Sequence, residues 1–142
     1  MKIQQISLFA ENKPGHIVAP MKLLASNGIN IRALALADTA DFGILHMIVA
    51  DWERAAALLE DNGFIARVNE VLAVEVSDQP GGLADVLAAL EGTGLNIEYM
   101  YAFPIMSGGK AVLIFRFDDP DAAIERLQQA ELNVLVGSEL LK

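Results

Sequence analysis

The chain has 142 residues, 54% of them hydrophobic, with a net charge of −9 and no cysteine. The lack of cysteine excludes disulfides, thiol catalysis and cysteine metal sites, and an acidic chain repels phosphate backbones, which argues against nucleic-acid binding. No apolar run reaches the roughly 18 residues that span a bilayer, and Met1–Gln5 shows no secretory pattern, so a cytoplasmic protein without membrane association is expected.

Residues 3–10 alternate as a strand, with Ile6 and Leu8 on one face and Gln5 and Ser7 on the other. Asn12-Lys13-Pro14-Gly15 reads as a turn. It leads into a helix over 15–26 whose apolar stripe is Ile17, Met21, Leu24 and Ala25. Pro20 inside that helix lacks an N–H, which predicts a bend or a loosened first turn. Asn27-Gly28 stops the helix. Strands at 31–37 and 44–50 flank a turn at Asp38–Asp41. A helix over Trp52–Asp61 ends at Asn62-Gly63, and a strand covers 64–68.

After Asn69-Glu70 the order starts again. A strand covers 71–76, a helix 82–91 carries Leu83, Val86, Leu87 and Leu90 on one stripe, and strands at 97–103 and 111–117 flank a loop at Pro104–Gly109. Asp118-Asp119-Pro120 caps the last helix, with Pro in a tolerated early position. Residues 132–136 form the last strand.

The chain therefore repeats itself. Pro14 matches Pro80, Gly15 matches Gly81, Ile17 matches Leu83, Leu24 matches Leu90, Gly28 matches Gly94 and Asn30 matches Asn96, all at one offset. The later hairpin is two residues longer in the second copy. Each copy is strand-helix-strand-strand-helix-strand, which predicts an α+β fold of two ferredoxin-like βαββαβ units. Domains at 1–69 and 70–142 follow, and a two-residue join places them side by side. The sheet face opposite Leu45, Met47 and Val49 carries Ile44, His46 and Ile48, and its counterpart carries Val112, Ile114 and Arg116. Such an apolar face, or an edge strand, is expected to be covered by a second chain in a homodimer.

No nucleophile is paired with a base, and no phosphate loop or hydrolase elbow is present, so no catalytic residue is assigned and an enzyme is not expected. His46 sits in an apolar strand as a packing residue, and Asp118 and Asp119 cap a helix. His16 follows the first turn and is a contact candidate. Two lone histidines do not make a metal site, and nothing calls for a cofactor. Tyr99, Tyr101 and Phe103 alternate on a strand, but the first copy has Ala33, Ala35 and Ala37 there and no basic stripe accompanies them, unlike an RNA-binding sheet. The repeated turn remains. An uncapped helix start accepts a carboxylate, and Asn12, Asp78, Asn30 and Asn96 offer hydrogen-bonding groups to an ammonium. The same residues also serve as ordinary bends of such a fold, and on spacing alone the two readings stand level.

Asp78-Gln79-Pro80-Gly81-Gly82-Leu83 with Gly94-Leu95-Asn96-Ile97 resembles the ACT-domain signature. Asn12-Lys13-Pro14-Gly15-His16-Ile17 with Gly28-Ile29-Asn30-Ile31 is a second copy, with Asn for Asp. The resemblance covers nearly the whole chain, as in a free-standing tandem ACT protein. It implies a regulatory protein that binds an amino acid where ACT units meet, through Asn12, Lys13, Pro14, Gly15, His16, Ile17 and Asn30 in one copy. In the other it implies Asp78, Gln79, Pro80, Gly81, Gly82, Leu83 and Asn96. A regulated partner, such as a metabolic enzyme, is then a separate protein. An oligomerisation module of the same fold that binds no ligand is the other reading. Pro20 stands where the second copy has Val86 and Lys13 where it has Gln79, so the two sites need not be equivalent.

Overall fold

In a computed structural model, which describes residues 1–38 and 41–141, the chain divides into two compact units. One is Gln4–Asn69, and the other is Met1–Ile3 with the chain from Glu70 onward. The first unit contains β1 (Ile3–Glu11), α1 (Val18–Ser26), β2 (Ala33–Asp38), β3 (Phe42–Ile48), α2 (Trp52–Asp61) and the start of β4 (Ile65–Ser77). Its strands lie in the order β2-β3-β1-β4, and both β1 and β2 run antiparallel to β3.

Alternation decides what each face carries. Ile6 lies opposite Met47 and Leu8 opposite Leu45. With Val49 these residues form a core together with Leu24, Ala55 and Leu59 from the helices. The opposite face of β1 and β3 holds Gln5, Ser7 and His46, all buried. They survive burial by bonding one another. The Gln5 amide donates to Ser7 Oγ at 3.0 Å, and Ser7 Oγ and Gln5 Nε2 lie 3.0 and 3.2 Å from His46 Nδ1. The Asn69 amide also donates to Ser7 Oγ, at 2.9 Å. Because Gln5 Nε2 can only donate, Nδ1 is the acceptor and the ring is neutral, with its proton on Nε2. Burial likewise lowers the His46 pKa.

The second unit contains the rest of β4, α3 (Gly82–Ala89), β5 (Ile97–Ser107), β6 (Lys110–Phe117), α4 (Pro120–Gln129), β7 (Asn133–Leu135) and a short helix, α5 (Gly137–Leu140). Its strands lie in the order β7-β4-β6-β5. Leu72, Val74, Phe115 and Phe117 pack beneath Val86, Leu90, Ala123 and Leu127. The rings of Phe115 and Phe117 stack with centroids 5.6 Å apart. As the repeat predicts, each unit is an α+β, ferredoxin-like arrangement.

Four expectations change in detail. The strands predicted at 64–68 and 71–76 are one strand, β4. Asn69-Glu70 contains neither Gly nor Pro to break it, and Arg116 donates to the Glu70 carbonyl at 2.8 Å. The loop predicted at Pro104–Gly109 is mostly strand. Phe103 pairs with Val112 and Ser107 with Lys110, so β5 absorbs the two extra residues as a bulge. The helix α5 carries too short a pattern to be read from sequence. Finally, His46, Ile48, Val112 and Ile114, expected on an open face, are buried. The predicted turn at Asp38–Asp41 lies partly outside the described residues.

Candidate functional site

The two copies of the turn are built alike. Asn12 N donates to the Asp41 carbonyl and Asp78 N to the Gly109 carbonyl, each at 2.9 Å. Gly15 and Gly81 hold φ of +76° and +92°, a region that side chains with a Cβ avoid. A Cβ at either glycine would meet nothing within 4 Å. These glycines therefore serve backbone conformation rather than a close contact within the chain. The close-approach glycine is Gly82, where a Cβ would collide with the Ser77 carbonyl oxygen.

That contact explains how the copies diverge. Gly82 lets α3 start directly on the end of β4, with Gly82 N bonded to the Gln79 carbonyl at 3.0 Å. The equivalent residue is His16, which cannot enter so tight a contact. The first copy keeps the equivalent bond, His16 N to the Lys13 carbonyl at 3.2 Å, adds one from Val18 N to the Gly15 carbonyl at 3.1 Å, and begins its helix at Val18. Pro20 falls in the first turn of α1, where no N–H is needed. The helix predicted from Gly15 thus begins at Val18, with Pro20 in its first turn. Neither α1 nor α3 has a side-chain cap, whereas Asp119 caps α4 by accepting from Ala122 N at 3.1 Å.

Beside each turn lies a cleft. In the first unit a hollow of about 290 Å³ is lined by Phe9, Ala10, Glu11, His16, Phe42, Gly63, Phe64 and Ile65. In the second unit a hollow of about 270 Å³ is lined by Glu75, Val76, Ser77, Gly82, Asp85, Lys110, Glu131, Leu132 and Asn133. These are the same positions of the repeat. The lining comes from the end of the first strand, the helix start, the head of the third strand and the head of the last strand in both. The chemistry differs at nearly every position. Phe9 stands against Glu75, Phe42 against Lys110, Gly63 against Glu131 and Ile65 against Asn133.

Of the residues singled out from sequence, His16 and Gly82 line these clefts, and the remaining turn residues stand next to them. Lys13 is exposed and sits 3.7 Å from Glu11. Asn12, Pro14, Asp78, Gln79, Pro80 and Leu83 are exposed, and Ile17 is half-buried. Asn30 and Asn96 do not join the turns within a unit. The nine residues of α1, about 13 Å of helix, separate Asn30 from Gly15. Asn30 lines a different hollow, of about 280 Å³, with Gly28, Arg32, Asp51 and Arg54. The Asn96 backbone is tied to Asp118, its N–H donating to Oδ1 at 3.0 Å. Sequence reading missed the cleft walls, Phe9, Phe42 and Ile65 with Glu75, Lys110 and Asn133, because they are up to 58 residues apart in the chain. Laying the third strands of the two copies over each other is the signal that would have shown them.

The family model described as an ACT domain pair matches residues 1–142. A crystal structure of protein BT0572 from Bacteroides thetaiotaomicron is 38% identical, with a TM-score of 0.90, covering 100% of this chain and 97% of that one. The ligand-free regulatory subunit of aspartate kinase from Thermus thermophilus shares the fold at 21% identity and a TM-score of 0.63, covering 89% of this chain and 91% of that one. The corresponding subunit from Thermus flavus does so at 22% identity and a TM-score of 0.60, covering 90% and 92%. No curated protein matches. No helix among the described residues is long and apolar enough to cross a membrane.

Proposed function

Because the chain belongs to the ACT-domain family as an ACT domain pair, we propose that it is a regulatory protein that senses a free amino acid at its repeated turns and acts on a separate protein. The observation that carries this reading is the cleft formed twice at equivalent positions beside those turns. In the second unit the uncapped start of α3 leaves the first-turn N–H groups of Leu83 and Ala84 able to accept a carboxylate. Asp78, Asp85 and Glu131 stand around the same turn as partners for an ammonium. In the first unit Asn12, Lys13, Pro14, Gly15, His16 and Ile17 take the equivalent part. The Thermus kinase subunits, regulatory by name, have the same fold and support the regulatory reading.

We further propose that 1–69 and 70–142 are the two domains and that the working species is a homodimer in the cytoplasm. The support for dimerisation is β2, which ends the strand order of its unit and exposes Leu34 and Leu36. Such an edge is a ready template for pairing with a second copy. A panel of the twenty amino acids in a thermal-denaturation assay tests the sensing function. A ligand at about 100 times its dissociation constant adds roughly 2.7 kcal/mol of stability. Absence of any shift at millimolar concentrations favours the other reading, an oligomerisation module of the ACT fold that binds no ligand.

A further inference from the structure

We infer that the first unit's cleft selects an amino acid with an aromatic side chain, held by its carboxylate on Arg67 and by its ring against Phe42 and Ile65. The inference rests on the sensing function proposed above and assigns a ligand class to one of the two sites.

Three observations carry it. First, the hollow at the turn adjoins another of about 360 Å³ lined by Phe9, Phe42, Ile65 and Arg67. The two share Phe9, Phe42 and Ile65, and together they have room for a ligand of about a dozen non-hydrogen atoms, within the usual size of small-molecule sites. Second, the walls are apolar and open to water. Phe42 is 57% exposed and Ile65 is 65% exposed, the two highest values among the large apolar side chains of the described residues. The repeat shows that this is a property of the copy and not of the fold, because Lys110 and Asn133 occupy those positions in the second unit.

Third, the charges suit a zwitterion. The Arg67 guanidinium lies 5.8 Å from the centroid of the Phe9 ring, and no ion pair engages it among the described residues. A stacked guanidinium keeps its edge donors free for a carboxylate fork. Glu11, opposite Phe42 in the β1–β3 register and in an exposed ion pair with Lys13 at 3.7 Å, supplies the anion for the ammonium, which displaces Lys13. The position equivalent to Arg67 is Leu135, which is buried, so the second cleft has no such carboxylate anchor. An apolar wall, one unpaired cation and one nearby carboxylate describe a site for an amphipathic zwitterion.

Isothermal titration calorimetry of the full chain with L-phenylalanine, L-aspartate, L-lysine, 3-phenylpropionate and 2-phenylethylamine is the test. Phe42→Lys and Ile65→Asn transplant the second cleft's residues into exposed positions, and circular dichroism checks that both variants keep the fold. The wild type is expected to take up L-phenylalanine, and each transplant is expected to weaken it at least tenfold. Arg67→Gln is expected to weaken L-phenylalanine and 3-phenylpropionate by a similar factor while leaving 2-phenylethylamine unchanged. If L-aspartate or L-lysine binds but L-phenylalanine does not, or if L-phenylalanine binds equally to all three variants, the inference falls and the sensing function stands. If none of the three amino acids binds, the inference falls, and the panel of twenty decides the sensing function. If Phe42→Lys leaves the titrations flat but shifts the sedimentation coefficient to that of a smaller species, the apolar wall is an interface between chains, and the inference falls.

Discussion

Replacing Gly82 by alanine tests the geometry on which the second turn depends. The added methyl points at the Ser77 carbonyl oxygen, a backbone atom that cannot rotate away. The start of α3 must therefore lift off β4. Forcing one extra carbon into a packed contact costs typically 1–3 kcal/mol. Against this, alanine restricts the unfolded chain and returns about 0.4–1 kcal/mol. The net loss is about 1–2 kcal/mol, or roughly 3–8 °C in Tm for a chain of this size. Gly137→Ala provides the comparison, since that glycine also stands at a helix start but a Cβ there meets nothing within 4 Å. It should be neutral or slightly stabilising. Urea melts and calorimetry on the three proteins give the answer, and a Gly82→Ala protein as stable as the wild type would refute the close approach of α3 to β4. The first unit shows what accommodation looks like, because with His16 at this position α1 begins two residues later than α3 does.

Asp119→Ala removes the cap of α4 and should cost about 1 kcal/mol, read as a shift in the urea midpoint. Phe115→Ala empties a fully buried, stacked position and should cost about 3–5 kcal/mol, enough to populate a state with the second unit disordered, visible as loss of its dispersed amide resonances. His46 gives a pH dependence with a definite sign. Its folded pKa is lowered by burial, so the unfolded chain binds a proton that the folded one does not. Stability should fall as the pH drops below about 6.5, at up to about 1.4 kcal/mol per pH unit, until the folded pKa is reached. His46→Gln should remove that part of the dependence, and parallel pH profiles of urea stability for the two proteins would show that His46 is not its source.

Much of the fold is legible in the sequence because the chain states it twice. The Gly28 and Gly63 helix stops, the Asp119-Pro120 start and the core positions Leu24, Val86 and Leu90 follow from local chemistry that acts within four residues, whereas Leu83 and Leu87 of the same predicted stripe are exposed. Features that depend on non-local pairing are not legible in this way. The bulge in β5 exists only relative to β6, and the fusion of two predicted strands into β4 only relative to the neighbours on either side. Gly81-Gly82 was visible as a pair, but which glycine served conformation and which served contact depended on where Ser77 points its carbonyl. The same holds for the site. The turn residues were found by their spacing, whereas the walls Phe42, Ile65, Lys110 and Asn133 enter only through the third and last strands. Asn30 and Asn96 looked like part of the site because they are near it in the motif, and a helix length carries them to the other end of the unit.

The pattern of divergence between the copies bears on whether both clefts do the same work. In the cores, paired positions keep their character. Ile6 corresponds to Leu72, Leu8 to Val74, Leu24 to Leu90, Met47 to Phe115, Ala55 to Ala123 and Leu59 to Leu127, all buried and apolar. Packing alone explains that, since a charge at any of these positions would be desolvated without a partner. The cleft walls face no such constraint, being open to water, and there the copies differ in charge or polarity at Phe9 and Glu75, Phe42 and Lys110, Gly63 and Glu131, and Ile65 and Asn133. Random drift at a solvated surface tends toward polar residues, which accounts for the second cleft without any ligand. It does not account for the first, where two large apolar side chains remain half or more exposed beside an unpaired arginine. The asymmetry therefore puts the stronger expectation of a specific ligand on the first unit, although its turn departs further from the family pattern through His16 and Pro20.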